Sequence, residues 1–186
     1  MSTVVTSEEI DAGVRARLAA RIRDVPDFPQ PGVVFKDITP LLADAKAFAE
    51  CIGALAAPWR GQSIDVVCGI ESRGFIFGAA LARELGTGFV PLRKAGKLPT
   101  AVIGIDFRLE YSEARLEMHV DALAPGAHAL IVDDVLATGG TLAAARELIE
   151  TVGARVAGAA VVIELDFLGG RTHWPADMPL RSLLRY

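Results

Sequence analysis

Ala129-Leu130-Ile131-Val132-Asp133-Asp134-Val135-Leu136-Ala137-Thr138-Gly139-Gly140-Thr141 is the stretch whose reading decides the fold. Its first four residues are wholly apolar, as in a parallel strand covered on both faces. Asp133 and Asp134 follow at the end of that strand, the edge where ligands bind in an open α/β sheet. Ionised carboxylates only accept hydrogen bonds, so an adjacent pair suits a vicinal diol with its two O–H donors. Ala137, Thr138, Gly139, Gly140 and Thr141 then supply backbone N–H groups, two hydroxyls and little bulk, ahead of a helical stretch at 142–152. The N-terminus of a helix favours a phosphate dianion. Taken apart, these features have plainer readings: an N-cap at Thr141, a Gly-Gly turn, a solvated acidic pair. In this order they suit a ribose 5-phosphate.

Outward from this stretch, strands alternate with helices. Strands are expected at 64–68, 88–92, 116–120 and 156–164, and a helix at 74–85. Such alternation implies βαβ units with right-handed crossovers. The expected architecture is one α/β domain over 1–186, an open twisted, mainly parallel sheet with helices on both faces. Near the start, Thr6 or Ser7 can cap a helix with Glu8 and Glu9 in its first turn. Ile10, Val14, Leu18 and Ile22 form one apolar stripe, to be buried against the core or a partner subunit. Residues 25–40 read as loop, with Pro26, Pro29, Pro31 and Pro40 around Val33-Val34-Phe35, and a second helix is expected at 45–57. Residues 94–111 lack clean periodicity and read as a mobile segment.

Composition excludes several classes. With 52% hydrophobic and 23% charged residues, the chain has the make-up of a soluble globular protein. A net charge of −4 argues against sequence-independent nucleic-acid binding, which needs a basic surface. No signal peptide and no membrane span are expected. Cys51 and Cys68 fall on an expected helix and strand, which favours buried thiols in a reducing cytoplasm over a disulfide. His119, His128 and His173 are scattered, so a protein-only metal cage is not expected. The chain lacks a P-loop and the glycine fingerprint of a dinucleotide fold. Gly69-Ile70-Glu71-Ser72-Arg73-Gly74 misses the nucleophile-elbow spacing by one place and has no evident histidine partner.

That same turn lies between a strand and a helix, where Arg73 suits pyrophosphate oxygens through its planar fork. Equally, Arg73 could pair with Glu71 at the surface. Arg93, Lys94 and Lys97 cluster just after another strand, either as a solvated basic loop or, beside a polyanion, as a phosphate clamp.

Together these motifs resemble those of the type I phosphoribosyltransferases. Residues 129–141 resemble their signature for 5-phosphoribosyl 1-pyrophosphate (PRPP). The narrower resemblance is to the adenine-specific family: residues 28–40 to its purine loop, 71–75 to its pyrophosphate loop, 93–99 to its basic segment, and Leu109-Glu110-Tyr111 to its mobile catalytic loop. Lys36 and Glu71 depart slightly, standing where arginine and aspartate are common. The resemblance implies transfer of the phosphoribosyl group from PRPP to adenine, giving AMP and pyrophosphate. Phe35 stacks on the base and the main chain of Val34 and Lys36 reads its edge. Asp133 and Asp134 hold the ribose, Ala137, Thr138, Gly139, Gly140 and Thr141 the 5′-phosphate, and Ser72, Arg73, Arg93, Lys94 and Lys97 the pyrophosphate. Glu110, Tyr111 and Arg73 are the implied catalytic residues. Mg2+ is carried by PRPP oxygens rather than by direct protein ligands. A homodimer, a hood over the site and a cis peptide near Glu71–Ser72 are also implied. A sibling transferase for another base, or a PRPP- or purine-sensing regulator on the same fold, is the alternative. The regulator would need a DNA-binding element, and none is apparent in this acidic chain.

Overall fold

The computed structural model describes residues 11–108 and 113–186. Helix α1 (Ala12–Ala19) begins at Asp11, whose carboxylate accepts from Val14 N at 3.0 Å. The caps expected at Thr6 or Ser7 lie outside the described residues. Leu18 is fully buried, with Val14 and Ile22 packed around the same core, so the described part of the apolar stripe is covered by the chain itself.

The stretch expected as loop contains a small antiparallel ribbon of β1 (Arg23–Pro26) and β2 (Val34–Asp37). Its prolines bracket the strands: Pro26 ends β1, where a missing N–H is tolerated, and Pro29 and Pro31 lie in the turn. Next come α2 (Thr39–Ala43), with Pro40 in its first turn, and α3 (Ala45–Ala56), capped by Asp44.

The main sheet is built from β3 (Val66–Ile70), β4 (Gly88–Lys94), β5 (Val102–Arg108), β6 (Glu113–His119), β7 (His128–Leu136), β8 (Arg155–Glu164) and β9 (Leu180–Arg185). Its seven strands run in the order β5-β6-β4-β3-β7-β8-β9. The β4-β3-β7-β8-β9 part is parallel, and β5 and β6 add an antiparallel edge. Helices α4 (Gly74–Leu85) and α5 (Gly140–Thr151) cross over from β3 to β4 and from β7 to β8. Alternate residues of β7 feed the two sides. Leu130 and Val132 pack with Cys51, Phe77 and Leu81, whereas Ala129 and Ile131 pack with Leu142, Leu148 and Ile149. Each fully buried leucine or isoleucine contributes about 1.5–3 kcal/mol. Cys51 and Cys68 are buried and free, and burial pushes both thiols up to about 12.

Within the main sheet, β5, β7 and β9 depart from expectation. β5 occupies part of the segment read as mobile: Ile103, Ile105 and Phe107 do alternate, with Gly104 and Asp106 between them, and pack on the core while the backbone pairs with β6. β9 was not expected at all, because Leu180, Leu183 and Leu184 follow no strict alternation. β7 runs to Leu136, so the acidic pair sits within a strand that outlasts its neighbour β3.

β8 carries a bulge. Ala129 faces Val156 but Leu130 faces Gly158, leaving Ala157 unpaired in the register. A Cβ on Gly158 would lie 2.4 Å from Trp59 Cη2 and 2.6 Å from the Pro179 carbonyl oxygen. Gly158→Ala therefore overpacks the core and is expected to lower unfolding stability by about 1–3 kcal/mol in urea titration; an unchanged midpoint would show that Trp59 moves aside freely.

Candidate active site

At β3 and β7 the chain turns in opposite directions: α4 carries it to β4 on one side, α5 to β8 on the other. Beyond the carboxyl ends of strands at such a switch point a crevice is expected. A cleft of about 470 Å3 opens there. From the β3–α4 turn come Glu71, Ser72 and Arg73, and from the end of β7 come Asp133, Asp134 and Ala137. β2 contributes Val34, Phe35 and Lys36, and Lys94 and Thr141 also line the opening. Four separate stretches of sequence thus meet at one opening.

Their packing is tight at the bottom. A Cβ on Gly74 would lie 2.9 Å from Asp133 Oδ1 and 2.9 Å from the Val132 carbonyl oxygen, so the first turn of α4 rests on β7. The Glu71–Ser72 peptide is cis, as the resemblance implied. Arg73 does not pair with Glu71; its Nε donates to Asp134, which is 5% exposed, and its guanidinium lies 5.5 Å from the Phe35 ring. Asp133 Oδ1 accepts from Asp134 N at 2.8 Å.

The purine-loop residues are held from behind. Asp27 accepts from Gly32 N at 2.8 Å, and the Phe28 and Phe35 rings meet edge to face at 5.2 Å. Lys36 Nζ is engaged by Asp24 at 2.7 Å and sits 4.0 Å from the Tyr186 ring centroid. Its ammonium is therefore committed elsewhere, while β2 keeps one edge without a strand partner among the described residues.

Two carboxylates shape the cationic turn. Glu71 Oε2 accepts from Lys94 N at 3.0 Å and from Arg93 Nε at 3.1 Å. Burial alone would raise the Glu71 carboxyl, but these hydrogen bonds and charges hold it below the usual glutamate range. Glu117, 7% exposed, accepts from Gly96 N at 2.9 Å and from Arg115 Nε at 3.1 Å. Arg93 itself turns to Glu71 and to the Lys97 carbonyl oxygen, at 2.9 Å, and neither Arg93 nor Lys97 lines the cleft. Thr138, Gly139 and Gly140, between Ala137 and Thr141 in the chain, do not line the cleft, and Glu110 and Tyr111 lie outside the described residues. Sequence reasoning missed Arg115, Phe107 and Leu165, which also line the cleft. The alternation in β5 and β6 could have signalled the first two.

The chain matches the model of the phosphoribosyl transferase domain over residues 40–174. The adenine phosphoribosyltransferase of Xanthomonas campestris pv. campestris (strain 8004) is 57% identical over 171 residues, 92% of each chain. The crystal structure of the Rhodothermus marinus adenine phosphoribosyltransferase superposes with a TM-score of 0.90 at 48% identity, covering 95% of this chain and 100% of that one. This chain belongs to the adenine phosphoribosyltransferase family. The family's Saccharomyces cerevisiae member, solved with an imino-altritol bisphosphate and adenine, matches at 38% identity and a TM-score of 0.87 over 93% of this chain and 99% of that one. The type I phosphoribosyltransferase fold read from the sequence is thus the fold observed.

One consequence for stability follows from the acidic pair. Burial first, and then the Asp134 carboxylate, push the Asp133 carboxyl well above the usual aspartate range, against the pull of Asp134 N–H and Arg73. A raised carboxyl contributes stability below its unfolded value, about 3.9, and loses that contribution as pH rises through the folded value. Asp133→Asn retains an acceptor for Asp134 N without the charge. In ligand-free protein it is expected to raise the thermal midpoint at pH 7, with the gain closing toward pH 4; a lowered midpoint at pH 7 would overturn this account.

Proposed function

We propose that the cleft between β3 and β7 carries out the adenine phosphoribosyltransferase reaction with the residue roles set out here. The observation that carries this reading is the convergence of the purine loop, the acidic pair, the phosphate loop and the Ser72–Arg73 turn on one cleft. In the reaction the C1–O bond to pyrophosphate breaks and the leaving group keeps the electron pair. Adenine N9 then forms the C1–N9 bond and gives up its proton. The charge at C1 builds ahead of bond formation, in an oxocarbenium-like transition state.

Phe35 stacks on adenine, worth on the order of 1 kcal/mol beyond area burial. Main-chain groups of Val34 and Lys36 read the exocyclic amine edge. Asp133 and Asp134 accept from the ribose hydroxyls, and the amides and hydroxyls of 137–141 hold the 5′-phosphate. Ser72, Arg73 and Lys94, which line the cleft, stabilise the departing pyrophosphate. Lys97, and Arg93 of the same or a neighbouring subunit, are assigned to it by the resemblance and would have to turn toward it. Catalysis comes mainly from positioning and charge stabilisation. Glu110 takes or stabilises the proton of the purine imidazole, with Tyr111 beside it. Phe107, on the described part of the 94–111 segment, lines the cleft and helps keep water from hydrolysing PRPP. Among the described residues no cluster of three or more His, Cys, Asp or Glu could hold a metal ion, and Mg2+ would be carried by the oxygens of PRPP rather than by direct protein ligands. When bound, Mg2+ offsets pyrophosphate and ribose oxygen charge. The working form is a homodimer, and a cytoplasmic location accords with two buried reduced thiols.

Pyrophosphate release should occur with adenine, PRPP and Mg2+, cease with a chelator, and be far slower with hypoxanthine, guanine, xanthine or orotate. Preference for another base would replace adenine with a sibling substrate. Asp133→Asn/Asp134→Asn is expected to abolish AMP synthesis nearly completely with the fold retained, and Glu110→Gln to lower turnover far more than PRPP affinity. Wild-type activity in the double variant would sink the ribose assignment, and unchanged turnover would remove Glu110 from the mechanism.

A further inference from the structure

The phosphate loop is shaped from outside by a turn that lies well beyond it in the chain. Gly139, with φ +86, faces the short 3-10 turn Gly170–His173. A Cβ on Gly170 would lie 2.1 Å from the Ala137 carbonyl oxygen and 2.9 Å from Gly139 N; one on Gly139 would lie 2.4 Å from the Gly170 carbonyl oxygen. The two backbones therefore interlock with no room for a side chain, and any shift of residue 170 must move residues 137–139.

The residue after Gly170 is anchored unusually firmly. Arg171 Nε donates to Glu164 Oε1 at 2.7 Å and Nη2 to Glu164 Oε2 at 2.6 Å. Its Nη1 donates to the Leu180 carbonyl oxygen at 3.0 Å, and Ser182 Oγ donates to Glu164 Oε2 at 2.7 Å. Glu164 ends β8 and is 2% exposed, so a forked ion pair ties the turn to both β8 and β9. Such a pair is a weak source of net stability, because desolvation offsets the attraction, but it holds one geometry. Phosphate recognition by backbone amides depends on that geometry, since donors must lie within tenths of an ångström of their places.

We propose that Glu164 and Arg171 are positioning residues for the 5′-phosphate: through Gly170 they set the shape of the 137–141 loop, without touching substrate themselves. This rests on the reading that residues 137–141 bind the 5′-phosphate. A role in stability alone would affect all ligands in parallel or none. A positioning role affects the ligands that carry the 5′-phosphate.

The test compares wild type with Glu164→Leu/Arg171→Met, Arg171→Lys and Ser182→Ala. Glu164 is buried while Arg171 keeps 40% of its side chain exposed; apolar replacement of a pair desolvated on one side is expected to cost little stability, so the double variant should melt close to wild type. KM for PRPP and Kd for AMP are expected to rise roughly tenfold, a cost typical of a displaced binding group. KM for adenine and inhibition by pyrophosphate should stay near wild type. Arg171→Lys, which keeps the charge but not the fork, should recover part of the loss, and Ser182→Ala should show a smaller shift of the same selectivity. These two single variants carry the same readout if the double variant does not fold. Unchanged PRPP and AMP constants, or a parallel loss for all four ligands, would overturn the proposal. Wild type should also bind AMP in competition with ribose 5-phosphate; if it does not, the phosphate-loop reading itself falls, and this proposal with it.

Discussion

The parallel pairing of β3 with β7 is the constraint on which the rest of the molecule depends. Its register runs from Val66 opposite Ala129 to Gly69 opposite Val132. Beyond that point β3 turns into α4 while β7 continues, still paired with β8, to Leu136. The acidic pair therefore stands on a strand supported from one side only, with the other side open to the cleft. A one-residue slip would turn Asp133 and Asp134 to opposite faces and exchange the two core layers that alternate residues of β7 feed. The hydrophobic register and the chemical register are the same.

Around that frame, arginine–carboxylate pairs recur: Arg73 with Asp134, Arg93 with Glu71, Arg115 with Glu117 and Arg171 with Glu164. As stability terms such pairs are small, about 0–1 kcal/mol where exposed. Their shared effect is geometric. Each joins segments far apart in sequence or fixes a turn, and three of the four carboxylates are less than a tenth exposed. A site meant for a polyanion must gather cations, and the carboxylates keep those cations in place.

How much of this was legible in the sequence depended on whether the signal was local. The 129–141 stretch is local, and its strand, acidic pair, glycines and helix appear in the order expected, although the strand runs on through the acidic pair to Leu136 and the helix starts at Gly140. The helix at 74–85 was readable to the residue, because Gly86 in a left-handed conformation ends it. The β1–β2 ribbon was hidden by its prolines, which punctuate strands as readily as loops. β5 has a period of two in Ile103, Ile105 and Phe107, set in a segment whose lysines and glycines read as mobile. Glu71, Glu117, Glu164 and Arg171 carry no motif, since their roles exist only once distant strands are paired. Arg73 illustrates the limit: its place at the cleft was legible, but its partner, Asp134, was not.

The interlock of Gly139 with Gly170 also bears on the order in which the molecule is made. The two residues meet across the whole of α5 and β8, so the loop bearing the most recognisable fingerprint in the chain cannot be held in its final shape by its own neighbours. It must wait for β8 to pair and for the turn after it to dock, which are non-local steps and intrinsically slow. A nascent chain that ends before residue 170 can pair β3 with β7 and bury Leu130, yet it lacks the far side of its own phosphate loop. The finished phosphate loop therefore depends on chain at least as far as Gly170.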